Sequence, residues 1–447
     1  MITTRKICEC LHTLEKGHDL LNWQICGVNI WPVIRITLYY DLTKITDLYQ
    51  GMINTGRPAR KDYISKLIRL FMSFWHNPFF ILGKKPYAVF VHQRKVGGRD
   101  IYTQPLLDEL SDQALILDNS YNGGQPLDKA GDMAFFVTLA VIYRKIMARL
   151  YTFSKQDLSL IHKLEQHLKE ELGIHYTLSP LIKRKLFLFL FLKPLYKTLF
   201  RLKNVRYLYI VNAYSNCHIT AAAHALGIKV SEIQHGLITP YHMGYSYPNQ
   251  KTVPYFPDEF LSFGAYWGQS VQMPASVQCR VIGAPHIETL RKKNVAKIPC
   301  SLFFSSQTVI GNEVFDFAVK TAKLLPEYSI TLNIHPLDHP EKYRRQLESC
   351  ALDNLKMTYK PEGFFELLAS HEFQAGSFST TLFEGMVLGN KVIVLDLPGA
   401  ENMAPMIERG DALLAHSPEE LVRCLKNAKV VTDAELYYAP PINKIVA

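Results

Sequence analysis

The sequence predicts an α/β protein with two Rossmann-like, doubly wound domains that face a central cleft. Three observations predict this fold class. A length of 447 residues exceeds a typical single domain and suits two. Short apolar runs alternate with segments at helical spacing, as in a sheet covered by helices on both faces. The strand–helix–strand spacing over residues 207–234 is that of a βαβ unit, which implies parallel strands.

The pattern along the chain divides it into four parts. Residues 1–82 form a predicted N-terminal helical extension. Residues 83–250 form an acceptor-side domain that contains a basic, aromatic helical insert at 133–204. Residues 251–430 form a donor-binding domain, and 431–447 a tail. The predicted strands are Tyr87–His92, Ala114–Asp118, Tyr207–Asn212, Val230–Gln234, Glu259–Phe263, Arg280–Ile282, Ser301–Ser305, Ser329–Ile334, Leu355–Tyr359 and Lys391–Leu395.

Charge is distributed unevenly between the two halves of the chain. The whole chain has 50 basic and 40 acidic residues and a net charge of +10. Residues 1–204 hold 29 and 17 of these, a net of +12, which leaves −2 for the rest. A basic surface attracts nucleic acid, anionic lipid or acidic substrates. Here the cations flank aliphatic and aromatic runs without a recognisable nucleic-acid-binding module, which favours lipid over nucleic acid.

Two segments have the composition of helices that lie on a membrane surface. One covers residues 67–82, and the other covers 183–203, where cations enclose the run Leu186–Leu192. The alternative is that both are core helices with solvated ends. Neither reaches the ~20 apolar residues that span a bilayer, and the first residues do not resemble a signal peptide. The pattern therefore predicts a cytoplasmic protein, peripheral on the inner face of the inner membrane.

The eight cysteines form no Cys-x-x-Cys pair, which predicts free thiols in a reducing compartment. No GxGxxG or GxxxxGK[ST] fingerprint is present, which argues against dinucleotide oxidoreductases and P-loop enzymes. No Asp-x-Asp follows a strand, so no metal site and no cofactor are expected.

A hydroxyl-rich turn precedes a short helix near residue 380. Hydroxyls and the unbonded N–H groups of a first helical turn form an anion site, so this turn predicts a pocket for a phosphate-bearing donor such as a nucleotide sugar. A second polar turn closes the strand at Ser305, where plain capping is the alternative. The predicted donor-binding residues in the two turns are Ser377, Ser379, Thr380, Thr381, Glu384, Ser305, Ser306 and Gln307.

Two strand ends carry a histidine that would face the cleft. His335 precedes Pro336, which blocks extension of the strand. His235 precedes Gly236, which would let the chain turn tightly and a ligand approach closely. An imidazole at either place could protonate a leaving phosphate or orient an acceptor. Glu232 lies three residues before His235, so strand alternation places these two on opposite faces. His335, His235 and Glu232 are predicted catalytic residues, and Pro336 and Gly236 are predicted to bind the donor.

Asp100 and Asp118 are the carboxylates best placed to deprotonate an acceptor hydroxyl, because both follow strands of the first domain. The alternative for each is a turn or cap residue. Of the two, Asp100 is the predicted catalytic base.

These motifs resemble GT-B glycosyltransferases that build bacterial surface polysaccharide, of the Kdo-transferase and bacterial sialyltransferase type. The resemblance is carried by His335-Pro336, by the hydroxyl turn Ser377–Thr381, and by Gln234-His235-Gly236 with Gly244-Tyr245 downstream. It covers residues 84–430, while the first 82 residues match no motif. The family's acidic general-base motif is not clear in the first domain, which leaves both the base and the stereochemistry open.

The resemblance implies a CMP-linked nonulosonate donor, such as sialic acid or Kdo, and a surface-glycan or lipid-linked acceptor. His335 would then assist the departing phosphate, and the hydroxyl cluster would hold it. A UDP- or dTDP-sugar transferase shares this architecture. The same motifs also fit a teichoic-type transferase of CDP-polyols and a non-catalytic nucleotide-binding protein of polysaccharide assembly.

Overall fold

A computed structural model describes residues 2–46, 70–92, 95–96, 99–118 and 130–446. Within these residues seven parallel strands form a first sheet, in the order β7-β6-β5-β4-β1-β2-β3. The strand order reverses between β1 and β4, as in a doubly wound fold. The strands are β1 (Tyr87–Phe90), β2 (Ala114–Asp118), β3 (Gly131–Asp132), β4 (Tyr207–Val211), β5 (Lys229–Ile233), β6 (Glu259–Ser262) and β7 (Gln278–Val281).

A second parallel sheet follows, with six described strands in the order β10-β9-β8-β11-β12-β13. Its order reverses between β8 and β11, so polar groups that follow these two strands meet at one crevice. The predicted fold class of two Rossmann-like α/β domains is confirmed. The strands are β8 (Ile298–Ser305), β9 (Ser329–Ile334), β10 (Leu355–Tyr359), β11 (His371–Gly376), β12 (Lys391–Leu395) and β13 (Leu413–Ala415).

Helices cover both sheets and make up most of the described residues before β1. Residues 70–75 are also helical, and Gln24–Ile25 pairs with Val28–Asn29 in a small hairpin. The main helices are α1 (Thr4–Gly17), α2 (Ile30–Ile45), α3 (Gln104–Leu110), α4 (Ala134–Leu150), α5 (Lys155–Leu172), α6 (Leu178–Lys203), α7 (Cys217–His224), α8 (Ala265–Gln269), α9 (Pro285–Lys292), α10 (Gly311–Leu324), α11 (Pro340–Cys350), α12 (Phe364–Ser370), α13 (Thr380–Val387), α14 (Ala404–Glu408) and α15 (Pro418–Asn427).

The boundary between the two sheets differs from the predicted division at residue 250. β6 pairs with β5, and β7 pairs with β6, so both belong to the first sheet. The division therefore lies between Val281 and Ile298. The predicted tail also returns to the first sheet: the Trp267 indole donates to Tyr437 O (2.6 Å), and Ile445 N–H donates to Glu109 (2.8 Å).

The apolar run in α6 is a core element, in contrast to the membrane-surface prediction for residues 183–203. Leu186, Phe187, Phe189 and Leu192 are at most 4% exposed. On its inner side α6 packs against Tyr143 of α4, whose ring centroid lies 5.4 Å from that of Phe191 and 6.3 Å from that of Phe187. Burial of a helix on most of its faces explains why the run is apolar all round.

For the first candidate, 67–82, residues 67–69 lie outside the described part of the chain. No helix within the described ranges is both long and apolar enough to cross a membrane. All eight cysteines are free thiols, as expected from their spacing.

The N-terminal helices are fixed to the first domain by the buried guanidinium of Arg35. The side chain is 1% exposed and pairs with Glu15, which also accepts from the Trp31 indole at 2.6 Å. Its two terminal nitrogens donate to the carbonyls of Met243 and Ser246. A desolvated cation is stable only when every donor is satisfied, so this network fixes the 243–246 loop against α1 and α2.

We expect Arg35→Ala to lower the free energy of unfolding by about 3–5 kcal/mol, because it leaves the Glu15 carboxylate buried without its cation. Urea denaturation followed by circular dichroism measures the effect. Arg5→Ala is the matched control, because its ion pair with Glu9 is exposed to solvent and should contribute little to stability. Equal, small losses in the two variants would contradict the role given to Arg35.

Candidate functional site

A cavity of about 330 Å³ lies between the two sheets, with walls from both. The second domain contributes the ends of β8, β9 and β11, and the first contributes α2 and the loop after β5. The volume is in the range of small-molecule sites. Its lining residues are Tyr39, Tyr40, Leu237, Thr239, Tyr241, His242, Gln307, His335, Phe378, Ser379, Thr380 and Asn402.

The first turn of α13 forms one wall of the cavity. Ser379 is the N-cap: its hydroxyl accepts from the backbone N–H of Thr381 (3.3 Å) and from the Thr381 hydroxyl (2.9 Å). Ser379 and Thr380 both line the cavity, while the Thr381 hydroxyl is used in the cap. The positive end of the helix dipole therefore lies at this wall, with the N–H groups of Thr381 and Leu382 already bonded to Ser379.

His335 stands beside this wall at the end of β9. Its Nδ1 accepts a hydrogen bond from the Leu337 backbone N–H (3.2 Å) and lies 2.9 Å from the Thr308 hydroxyl. Since a backbone N–H can only donate, Nδ1 is an acceptor and the neutral ring carries its proton on Nε2. His335 is thus prepared to donate a hydrogen bond from Nε2 to an anion.

The opposite wall holds a second histidine in the same tautomer. Nδ1 of His242 accepts the Gly244 backbone N–H at 3.2 Å, so Nε2 carries the proton. Burial, with a smaller contribution from the Arg35 charge, lowers the pKa of His242 to about 4. The ring is therefore neutral at pH 7 and presents a donor rather than a base.

The N-terminal helices, which carry no predicted site residue, supply part of this wall. Tyr39 and Tyr40 of α2 line the cavity. Cys8 of α1 donates from Sγ to Tyr241 O at 2.9 Å, and Arg35 holds the carbonyls of Met243 and Ser246. No local pattern in the sequence marks these residues, because their role depends on long-range packing.

A hydrogen bond from Thr239 to Asn402 (3.0 Å) joins the two domains at the floor of the cavity. Asn402 is oriented by its own bond to Gly399 O at 3.0 Å. Gly399 has a φ of +94°, and a Cβ there would lie 2.3 Å from the ring of Phe378. Glycine is therefore required at this position, where the chain turns beside a lining aromatic.

The polar turn after β8 divides between core and cavity. Ser305 accepts a bond from buried Gln374 at 3.0 Å, so its hydroxyl is a structural partner. Gln307 lines the cavity. Ser306 is 6% exposed, and within the described residues its Oγ and the Gln307 Oε1 are buried without a hydrogen-bond partner. Buried polar atoms are normally satisfied, so these two point to a ligand or ordered water at the crevice.

Four other predicted donor-binding residues lie away from the cavity. The Ser377 hydroxyl is 1% exposed and donates to Leu397 O at 3.1 Å, so it ties two loops together. Pro336 is exposed, and its carbonyl accepts from Tyr359. Glu384 lies in the second turn of α13 and is absent from the lining. Gly236 lacks a positive φ, and a Cβ added there would meet no atom within 4 Å, so the turn does not require glycine.

His235 and Glu232 belong to one buried cluster, in contrast to the predicted opposite faces. β5 ends at Ile233, so strand alternation does not extend to His235. Nε2 of His235 lies 3.4 Å from the Tyr214 hydroxyl, and the Tyr214 ring packs 5.1 Å from that of Tyr245. Tyr245 in turn donates to Glu232 at 2.7 Å, and the Tyr214 hydroxyl lies near that of Tyr40 of the cavity wall.

Burial shifts both ionisable groups of this cluster toward their neutral forms. It raises the pKa of Glu232 to about 7, against hydrogen bonds from Tyr245 and the Ala213 backbone that favour the carboxylate. It lowers the pKa of His235 to about 3, with smaller contributions from His92 and His242. Both shifts follow from the cost of placing charge in a desolvated site.

Asp100 is a turn-capping residue rather than the predicted base. It is fully buried, and its two oxygens accept from the backbone N–H of His92 (2.7 Å) and of Tyr102 (3.0 Å) and from the Thr103 hydroxyl (2.7 Å). Asp118 is likewise buried at the end of β2. Within the described residues, no group of three or more His, Cys, Asp or Glu side chains is placed to hold a metal ion.

No protein-family model matches the chain, and no curated protein is similar to it. Among solved structures, a Neisseria meningitidis UDP-GlcNAc 2-epimerase bound to UDP-GlcNAc is 12% identical over 79% of this chain and 95% of that one, with a TM-score of 0.44. A Rickettsia africae glycosyltransferase is 13% identical over 79% and 91%, with a TM-score of 0.43. A Methanocaldococcus jannaschii UDP-GlcNAc 2-epimerase is 10% identical over 79% and 97%, with a TM-score of 0.45. These identities and TM-scores are too low to carry a functional argument, which depends instead on the residues of the cavity.

We expect the stability of the protein, relative to a Glu232→Gln variant, to fall as pH rises from about 5 to about 7. In that interval the unfolded chain has already lost the Glu232 proton while the folded chain retains it. Folding therefore takes up a proton, and the free energy of unfolding decreases as the proton concentration falls. The difference reaches the order of 3 kcal/mol, since one pKa unit corresponds to about 1.4 kcal/mol. Urea midpoints of both proteins across this pH range measure it, and parallel pH profiles would contradict it.

Proposed function

We propose that this protein is a glycosyltransferase that takes a sugar from a nucleotide donor whose phosphate binds between His335 and the first turn of α13. The observation that carries the proposal is the convergence of His335, Gln307, Ser379 and Thr380 on one cavity at the crevice of a doubly wound sheet. Anions bind at such helix N-termini, where N–H groups and the dipole act together.

The charge pattern of the cavity supports an anionic ligand. Its described lining contains no aspartate or glutamate, while two imidazoles in the Nε2–H tautomer stand on opposite walls. A phosphate there meets donors and no like charge. The buried Ser306 hydroxyl, which no described protein group satisfies, supplies a further donor. The unsatisfied Gln307 Oε1 is an acceptor and suits a sugar hydroxyl of the donor instead.

The chemistry follows from these donors. An acceptor hydroxyl attacks the anomeric carbon and gives its proton to water, the bond from that carbon to the phosphate oxygen breaks, and the nucleotide leaves with the electron pair. His335 stabilises the charge that develops on the leaving phosphate through Nε2–H, and α13 adds its dipole. The acceptor would enter from the side of Tyr40, His242 and Tyr241, which belong to the first domain and its helical extension.

The donor we propose is a CMP-linked nonulosonate, on the basis of the His-Pro and hydroxyl motifs, with a UDP- or dTDP-linked sugar as the alternative. Calorimetric titration with CMP, UDP, dTDP and CDP-glycerol separates these donors from a polyol-phosphate donor. A protein that binds none of them at millimolar concentration would refute the proposal. Binding without turnover would instead indicate a nucleotide-binding assembly protein.

We expect His335→Ala to lower the rate of nucleotide release from the donor at least 100-fold, because it removes the group that assists the leaving phosphate. The measurement is single-turnover release of nucleotide, with water or glycan as acceptor. His339→Ala is the matched control, since His339 is an exposed histidine four residues away that does not line the cavity. Unchanged release in a folded His335→Ala variant would show that the ring has no such role.

We expect Thr380→Val to weaken nucleotide binding about tenfold, the effect of losing one hydrogen bond to a charged group. Calorimetry with the nucleotide alone measures this change. Thr289→Val, at an exposed threonine in α9, should leave the affinity unchanged. Equal affinity of the two variants would place the phosphate elsewhere in the cavity.

A further inference from the structure

Helix α4 carries an apolar stripe on its outer side. Leu139, Ile142, Ile146 and Leu150 are 37, 51, 54 and 71% exposed. Their spacing of three and four residues places them on one face of the helix. Tyr143 borders this stripe and packs against Phe187 and Phe191 of α6, so the helix contacts the core along one flank while the stripe itself stays exposed.

The segment from 70 to 82 extends this surface. Phe71, Trp75, Phe80 and Leu82 are 64, 58, 53 and 89% exposed. Phe74 and Phe79 join the segment to the start of α4 through ring contacts of 5.1 and 5.4 Å with Phe135 and Phe136. Eight large apolar side chains are thus exposed on two adjoining elements, whereas exposed apolar residues on a soluble surface are usually scattered.

The charge around this surface has one sign. Residues 70–86, 134–150 and 178–206 contain two, three and eight lysines and arginines, and no aspartate or glutamate. Among these cations Lys84, Lys145, Arg149 and Arg201 are exposed. Among the described ion pairs, Asp41 of α2 pairs with Arg184 of this cationic group at 3.8 Å.

We propose that this face, formed by the outer side of α4 and residues 70–82, docks on the surface of an anionic lipid bilayer. The apolar side chains enter the boundary between headgroups and acyl chains, and the surrounding cations pair with lipid phosphates. Trp75 suits that boundary because its ring is apolar and its indole N–H is polar. The anionic bilayer is favoured because its charge complements three segments that contain no carboxylate.

Flotation of the full-length protein with vesicles tests the proposal. We expect binding to phosphatidylcholine vesicles that contain phosphatidylglycerol, weak binding to phosphatidylcholine alone, and release at high salt, which screens the ionic attraction. The double variants Ile142→Ser with Ile146→Ser, and Lys145→Glu with Arg149→Glu, should each weaken vesicle binding about tenfold or more.

Matched controls are Val430→Ser, an apolar residue 48% exposed on another surface, and Lys323→Glu on α10. Both should bind vesicles like the parent. The apolar and the charge-reversal double variants alter different side chains, so if one fails to fold the other still tests the proposal. Thermal unfolding shows whether each variant is folded. Equal binding to neutral and anionic vesicles would overturn the proposal, as would variants that bind normally. A dimer, or an RNA complex, that the same substitutions abolish while vesicle binding persists would assign the face to that partner instead.

Discussion

The relation between the two domains depends on the packing of Phe383 against Trp267 and Tyr437. The ring centroids of Phe383 lie 4.8 Å from Trp267 and 5.2 Å from Tyr437, and all three side chains are at most 1% exposed. Phe383 belongs to α13, Trp267 to α8 of the first domain, and Tyr437 to the returning C-terminal segment. Because aromatic side chains bury large areas in a fixed geometry, this contact sets the position of α13. Its first turn, which carries Ser379 and Thr380, is thereby directed at groups of the first domain.

The opposite wall depends on a different kind of interaction. Arg35 is a cation that folding removes from water, and such a group is tolerated only because Glu15 and two backbone carbonyls satisfy it. The carbonyls belong to Met243 and Ser246, which flank the loop residue Gly244 that orients His242. The N-terminal helices are therefore part of the site rather than an appendage. An apolar contact positions the donor side of the cavity, and an ionic network positions the acceptor side.

The sequence predicted the sheets well because several strands are buried on both faces and are continuous apolar runs, as in Val392, Ile393 and Val394. It missed β11, whose residues His371, Glu372 and Gln374 are polar. Their partners are distant in sequence: His371 contacts Thr331 and Gln374 donates to Ser305. Dependence on distant contacts also explains which cavity residues were found. Ser379 and Thr380 were predicted from a local helix-start pattern. Tyr40 and His242 were missed, because only tertiary packing brings them to the cavity. Asp100 was predicted to be a base from its position after a strand. In the structure both of its carboxylate oxygens accept hydrogen bonds within the turn.

The charge of the Glu232–His235 cluster beneath the acceptor wall depends on pH. Desolvation shifts the pKa values of Glu232 and His235 in opposite directions, so between about pH 4 and pH 6 both groups are largely neutral. Tyr214 contacts His235 and Tyr245 and lies near Tyr40, which lines the cavity. As pH rises above about 7, the Glu232 carboxylate ionises beside Tyr245, and as pH falls toward 3, the His235 ring takes up a proton beside Tyr214. Either charge must be accommodated by moving these side chains or admitting water. Such a movement at Tyr214 would reach the acceptor wall, because Tyr214 lies beside Tyr40.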